Sequence, residues 1–284
     1  MANSGAVTWP DARLWTIIAL TLPTPLIKQG LHIKEHSVSD NEDAPVPVAT
    51  KRDRKGIYLL PNLFTTGALF SGFYAVVAGM NGDFENAAIA IFVAMVLDGL
   101  DGRVARMTNT QSDFGAEYDS LADMVSFGVA PALVAFSWAL QDLGKVGWVA
   151  AFVYCAGAAL RLARFNTQLA VADKNYFTGL ASPSAAAIVA GNIWVFTESG
   201  TQGADAAWWM AIIVTAAGLL MVSNFKYHSF KGLDLRGKIP FVALLAIVMG
   251  FAIVSIDPAT VLLAVFMLYA LSGPAWAVKE KLFD

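Results

Sequence analysis

The sequence predicts an all-α integral membrane protein, a polytopic helical bundle with about eight transmembrane helices, and three observations carry that prediction. Of 284 residues, 57% are hydrophobic and only 14% are charged, where soluble domains carry about 25% charged residues. Apolar runs recur at the length of about 20 residues that a helix needs to cross about 30 Å of hydrocarbon. Basic residues collect in alternate loops, as the positive-inside rule requires. The net charge of -3 includes no basic domain, and no nucleic-acid partner is expected. Cys155 is the single cysteine, so no disulfide framework exists, and three histidines without a paired-cysteine motif argue against zinc.

Taken in order, residues 1–50 read as a flexible cytoplasmic N-terminal extension, and residues 51–284 as the membrane domain. The extension holds one apolar run from Leu14 to Ile27, interrupted by Pro23 and Pro25. It is too short to span and lacks the basic start and cleavage site of a signal peptide. A surface-seeking helix or an artefact of start-codon choice would both explain it. Ser37 to Thr50, rich in Asp, Glu, Pro and Ser, reads as a linker. The expected spans are residues 57–80, 86–106, 117–140, 146–164, 179–198, 206–225, 239–256 and 258–277. Five contain charge-free cores of about 18 residues, whereas the second, third and fourth carry charges toward one end. Gly128 and Pro131 interrupt the third, where a membrane helix tolerates a kink. That kink either opens a lipid entry slot or relieves packing. Asp257 and Pro258 alone separate the last two spans.

With the extension inside, the inner loops hold Lys51, Arg52, Arg54, Lys55, Arg103, Arg106, Arg161, Arg164, Lys174, Lys226, Lys231, Arg236, Lys238, Lys279 and Lys281. The outer loops keep only Lys145, beside Asp83, Asp142, Glu198, Asp205 and Asp257. Both termini are therefore expected in the cytoplasm, in the cell (inner) membrane. The cluster from Lys51 to Lys55 either holds an interfacial helix against anionic lipid or only sets topology.

The charges inside the second and third spans are the informative ones. Asp98 and Asp101 stand three apart, and Asp119 and Asp123 four apart, so each pair shares a helical face. The polar stretch from Thr108 to Ser112 lets the chain reverse, and two antiparallel helices then aim four carboxylates into one cavity near the cytoplasmic side. At about 1.5 Å per residue, Asp98 lies roughly 18 Å along its helix, still within hydrocarbon depth. An aspartate there costs about 2.5 to 3.5 kcal/mol on insertion scales, so four demand compensation. Two hard divalent cations with oxygen ligands, Mg²⁺ or Mn²⁺, would balance four negative charges. Arg106, one turn beyond Gly102, can reach an anionic phosphate oxygen. Asp113, Arg103 and Glu117 read as solvated loop charges, and His32, His36 and His228 as surface residues.

The pattern D-x2-D-G-x2-A-R-x8-G-x3-D-x3-D, filled by Asp98, Asp101, Gly102, Ala105, Arg106, Gly115, Asp119 and Asp123, resembles the signature of the CDP-alcohol phosphotransferase family. The resemblance implies that the four aspartates hold two metals and that Asp123 also acts as general base. It implies that Gly102, Ala105, Arg106 and Gly115 line a CDP pocket, with Gly99 and Gly102 clearing the helix surface for a diphosphate. It further implies a homodimer and a six-span core, so eight spans would be that core plus two.

Three flanking stretches, Leu60 to Thr66, Asp123 to Pro131 and Leu160 to Asn166, with Phe230-Lys231, are similar to the serine-accepting members of the family. That likeness implies CDP-diacylglycerol as donor and L-serine as acceptor, with phosphatidylserine and CMP as products. Arg161 and Arg164, one turn apart, could face the serine carboxylate or the lipid phosphate; plain topological anchoring would also explain them. Asn166 and Lys231 join them as acceptor candidates. Asn62 and Thr65 are candidates for the nucleotide pocket, with interhelical hydrogen bonding the other reading. The arginines fit glycerol-3-phosphate as well as serine, inositol would want many neutral hydrogen bonds instead, and choline is a further alternative acceptor. A divalent-cation transporter would also place aspartates in spans, but it has no need of Gly102, Ala105 and Arg106.

Overall fold

In the computed structural model the described residues are 59–108, 110–168, 176–228 and 241–283. The extension, the Lys51 to Lys55 cluster, Lys174, Lys231, Arg236 and Lys238 lie outside them. Helices stand where the apolar runs predict them: α1 (Leu59–Met80), α2 (Phe84–Thr108), α3 (Asp113–Asp123), α4 (Ala130–Trp138), α5 (Lys145–Gln168), α6 (Ser182–Glu198), α7 (Gly203–Val222), α8 (Phe241–Ile256) and α9 (Pro258–Phe283). α3 and α4 form one rod, because a wide π-helical turn at Met124–Val129 carries the chain from one into the other. The expected kink is thus an extra residue within a continuous helix. A short 3₁₀ turn, Leu140–Leu143, closes α4.

Eight rods therefore match the eight expected spans among the described residues. Five are long and apolar enough to cross a membrane alone: Pro61–Met80, Asp113–Trp138, Lys145–Thr167, Gly203–Val222 and Pro258–Glu280. The other three fall short for physical reasons. α2 carries the site's charges, and α6 and α8 have 17 and 16 residues, or about 24–26 Å of rise.

One element was invisible in the sequence. β1 (Tyr176–Thr178) and β2 (Lys226–His228) pair antiparallel, with Phe177 opposite Tyr227. Three residues per strand are too few to show an alternating pattern. The expected fifth and sixth spans abut this ribbon, and their ends next to it are not helical: α6 begins at Ser182 and α7 stops at Val222, with the Gly179 N–H donating to the Phe225 carbonyl between them.

α6 is the inner helix. It packs against α2, α7 and α9, and Ala185, Ala186, Ala187, Val189, Ala190 and Ile193 are fully buried. A helix that is small and apolar on every face can be surrounded. α5 and α7 approach through glycines: a Cβ on Gly157 would stand 2.5 Å from the Gly218 carbonyl oxygen, and one on Gly218 would stand 2.8 Å from Tyr154 Cα. Membrane helices associate through such small-residue contacts because no hydrophobic force draws apolar surfaces together in lipid. Gly157→Ala is expected to cost about 1–3 kcal/mol by overpacking. Gly250→Ala, where a Cβ meets nothing within 4 Å, should be neutral or slightly stabilising. Thermal unfolding of both variants in detergent checks the contrast.

Candidate functional site

The site forms where the start of α1, the last turns of α2 and the whole of α3 meet. α2 closes with the Thr108 hydroxyl donating to the Val104 carbonyl at 2.8 Å and lying 2.7 Å from that of Thr110. The chain reverses, and Ser112 caps α3 in extended conformation, its Oγ accepting from the Gly115 N–H at 3.0 Å. Such a cap satisfies an otherwise open N-terminal donor. α3 then runs back antiparallel to α2 with Asp119 and Asp123 on one face.

Carboxylate oxygens of Asp98, Asp119 and Asp123 all lie within 4.8 Å of one another. That spread suits oxygens around one hard ion, with bonds of about 2.0–2.6 Å. Asp98 and Asp123 are in hydrogen-bonding reach of each other, as are Asp101 and Asp119. Asp101 stands beside the trio rather than in it: it is buried, and its Oδ2 accepts from Thr65 Oγ1 at 2.8 Å. All the donors are hard oxygens, which fits Mg²⁺ or Mn²⁺. The one ion pair among the described residues is Lys226 with Glu280. Among the described residues no arginine or lysine bridges any of the four carboxylates.

The pocket candidates divide. Asn62 and Gly115 come together, since a Cβ on Gly115 would stand 3.5 Å from Asn62 Oδ1 and 3.1 Å from Ser112 Oγ. A larger residue there would crowd both the cap and Asn62. Arg106 folds back over Gly102, its Nη1 3.4 Å from where a Cβ would be, while Gly99 faces open space. Arg106 is exposed and close enough to Asp101 to act on it electrostatically. Ala105 is half-buried, and its carbonyl accepts from the Thr110 N–H. Thr65 serves Asp101 directly, which joins the hydrogen-bonding and site readings in one residue.

The acceptor candidates on α5 separate as well. Arg161 is buried; its Nε donates to the Leu180 carbonyl at 2.7 Å and its guanidinium lies over the Phe165 ring. Its charge acts on Asp123 and on Tyr269 of α9. Arg164 instead donates to the Ser223 carbonyl and Asn224 Oδ1, each at 3.3 Å, and so ties α5 to the end of α7. Asn166 Nδ2 donates to Ser120 Oγ at 3.0 Å and thereby braces α3. Ser120 and Tyr118, whose hydroxyl lies 2.9 Å from that of Thr66, are supports that sequence reasoning missed. Neither belongs to a spaced motif. Ser112, by contrast, stands three residues before Gly115 at the head of a helix, a capping signal legible in advance.

A family model described as CDP-alcohol phosphatidyltransferase matches residues 58–217. The chain is 34% identical over 220 residues to a Helicobacter pylori protein named CDP-diacylglycerol--serine O-phosphatidyltransferase, covering 76% of this chain and 90% of that one. Proteins of the same name from Methanocaldococcus jannaschii and Mycobacterium tuberculosis are also similar. The first is 33% identical over 198 residues, covering 70% of this chain and 87% of the relative. The second is 37% identical over 185 residues, covering 62% and 64%.

Thr65→Val removes the donor to Asp101 while keeping shape. It is expected to weaken Mn²⁺ binding about tenfold, the scale of lost ligand support, whereas Thr65→Ser keeps the affinity. Titration of the purified variants followed by Mn²⁺ electron paramagnetic resonance makes the comparison.

Proposed function

The chain belongs to the CDP-alcohol phosphatidyltransferase family, and from that premise we propose that it transfers a phosphatidyl group from CDP-diacylglycerol to the hydroxyl of L-serine, giving phosphatidylserine and CMP. The convergence of three carboxylates within 4.8 Å, with no basic residue bridging them among the described residues, carries the metal-assisted part of this reading. The serine part is supported by the names of the relatives and by Arg161, a buried cation whose charge acts on Asp123.

In the proposed reaction Asp98, Asp101, Asp119 and Asp123 hold two divalent ions, Mg²⁺ or Mn²⁺. When bound, these offset charge on the diphosphate and on the leaving group. Arg106, with Asn62, Gly102, Ala105 and Gly115 around it, receives the CDP end of the donor. Arg161 faces the serine carboxylate. Asp123 accepts the proton of the serine hydroxyl as that oxygen attacks the β-phosphorus; the bond to CMP breaks in line. Because a carboxylate is a weak base for an alcohol, proton transfer accompanies attack. All eight rods are proposed to cross the membrane, with both termini and the site on the cytoplasmic side, and the working unit is proposed as a homodimer.

The deciding assay supplies CDP-diacylglycerol and follows CMP release with serine, glycerol-3-phosphate, inositol or choline in parallel. Serine-dependent release is expected; release with another acceptor and not with serine would reject the assignment. Chelation should abolish turnover and Mn²⁺ or Mg²⁺ restore it. Asp123→Asn should lose roughly a thousandfold or more in kcat, base and ligand being removed together. Arg161→Gln should raise KM for serine more than KM for CDP-diacylglycerol, and an equal rise in both would move Arg161 to the lipid phosphate.

A further inference from the structure

Asp123 is the last residue before the wide turn, and that turn contains a gap in the helical hydrogen bonding. Pro131, in the first turn of α4, has no N–H. In the four-back register of α4 a donor at position 131 would reach the carbonyl of Phe127, and in the five-back register of the wide turn, in which the Ala130 N–H reaches the Val125 carbonyl, that of Ser126; both residues are buried to 0% exposure. An unfilled carbonyl inside a membrane bundle costs several kcal/mol. Phe127 O accepts instead from the Tyr154 hydroxyl of α5, at 2.9 Å.

The phenol is rigidly mounted. Tyr154 is fully buried, and its backbone is in contact with α7 at Gly218, where no side chain intervenes. On the opposite side of the turn, Ser126 Oγ donates to the Ala68 carbonyl of α1 at 3.0 Å. Met124–Val129 is therefore tethered from two helices at adjacent residues. A π turn holds one residue more than an α turn, and at 3.6 residues per turn each added residue changes the phase by about 100°. The turn thus fixes how α3, with Asp119 and Asp123 aimed at Asp98, is rotated against α4, which is packed into the bundle.

The same device occurs a second time. Pro274 lies inside α9, and the carbonyl four residues before it, that of Ala270, accepts from the buried Tyr227 hydroxyl at 3.0 Å. Burial, helped by Tyr269, pushes the Tyr227 phenol up to about 12, so it remains a donor at any working pH. Two buried tyrosines each donate to the carbonyl four residues before a helix proline, and of the two only Tyr154 does so beside the aspartates.

We propose that Tyr154 is a positioning residue for the reaction: its phenol stands in for the N–H that Pro131 lacks and holds the turn that sets Asp123 against Asp98 and Asp119. This rests on the reading of the aspartates as an ion site, so the test reads ion binding separately from turnover. Wild type, Tyr154→Phe, the Tyr154→Phe, Pro131→Ala double variant, and Tyr227→Phe are purified in detergent and titrated with Mn²⁺ under electron paramagnetic resonance. Thermal unfolding and CMP release are measured beside it.

Tyr154→Phe is expected to weaken Mn²⁺ binding about tenfold and to lower kcat, with KM for CDP-diacylglycerol unchanged. Restoring an N–H at position 131 should bring the affinity of the double variant back to within about threefold of wild type. Tyr227→Phe should lower the unfolding temperature and leave Mn²⁺ affinity alone. Wild-type Mn²⁺ affinity in Tyr154→Phe, whatever its unfolding temperature, would make the phenol merely structural and overturn the proposal. So would a folded double variant that recovers no affinity, and this second variant decides the matter if Tyr154→Phe alone does not fold. A wild-type protein that binds no Mn²⁺ would overturn the ion-site reading, and this inference with it.

Discussion

Four carboxylates gathered among helices that are otherwise apolar set the electrostatic constraint on which this structure depends. Charges repel strongly where the effective dielectric is low, and a buried carboxylate without a partner costs several kcal/mol. The described polypeptide offsets that cost only in part, with the charge of Arg161 acting on Asp123. Thr65 offers one proton to Asp101, Arg106 lies exposed over Gly102, and no ion pair reaches the four. On the proposed reading the rest of the compensation comes from a hard cation held between the oxygens. An arginine bridged into the cluster would have neutralised it and closed it to metal.

Holding like charges together also places a mechanical demand on the helices. Unless the backbones are fixed, repulsion turns the side chains apart. Fixation comes from several sides: the Ser112 cap at the head of α3, Asn166 on Ser120, and the two-sided tether of the turn after Asp123. Behind these stands the close α5–α7 contact through Gly157 and Gly218. It brings Tyr154 near enough to reach a neighbouring helix. Small residues here have a purpose beyond packing, because they let one backbone serve as a mount for another's polar groups.

The fold was legible in the sequence to the extent that it obeys hydropathy. The apolar runs correspond to helical rods, five of them long and apolar enough to cross a membrane, and the spaced aspartates Asp98, Asp119 and Asp123 converge, with Asp101 beside them. What escaped was of two kinds. The ribbon β1–β2 has strands too short to carry a period. The supports Tyr118, Ser120 and Tyr154 act across 27 to 52 residues of sequence, and no local pattern marks which distant carbonyl or hydroxyl a buried side chain will meet. Pro131 was visible, but the sequence gives only the missing donor and not the group that replaces it. A kink was the natural expectation; a filled, wide turn is the outcome when a donor arrives from the next helix.

Arg161 and Arg164 show how much about recognition spacing alone leaves open. One turn apart on α5, they read alike as candidates for a serine carboxylate, a lipid phosphate or plain anchoring, yet their environments differ. Arg164 is tied to the end of α7, where a cation belongs beside open helix carbonyls. Arg161 is buried and exerts its charge on Asp123. On the proposed reading, only Arg161 can hold an acceptor's anionic group while its hydroxyl meets the base. Choline would bring a second cation toward that guanidinium, and inositol would leave it without a counter-charge. Serine and glycerol-3-phosphate both satisfy it, so charge narrows the acceptors to anion-bearing alcohols. On the same reading, discrimination between those two falls to the extra charge a phosphate would bring close to four carboxylates, which favours the amino acid.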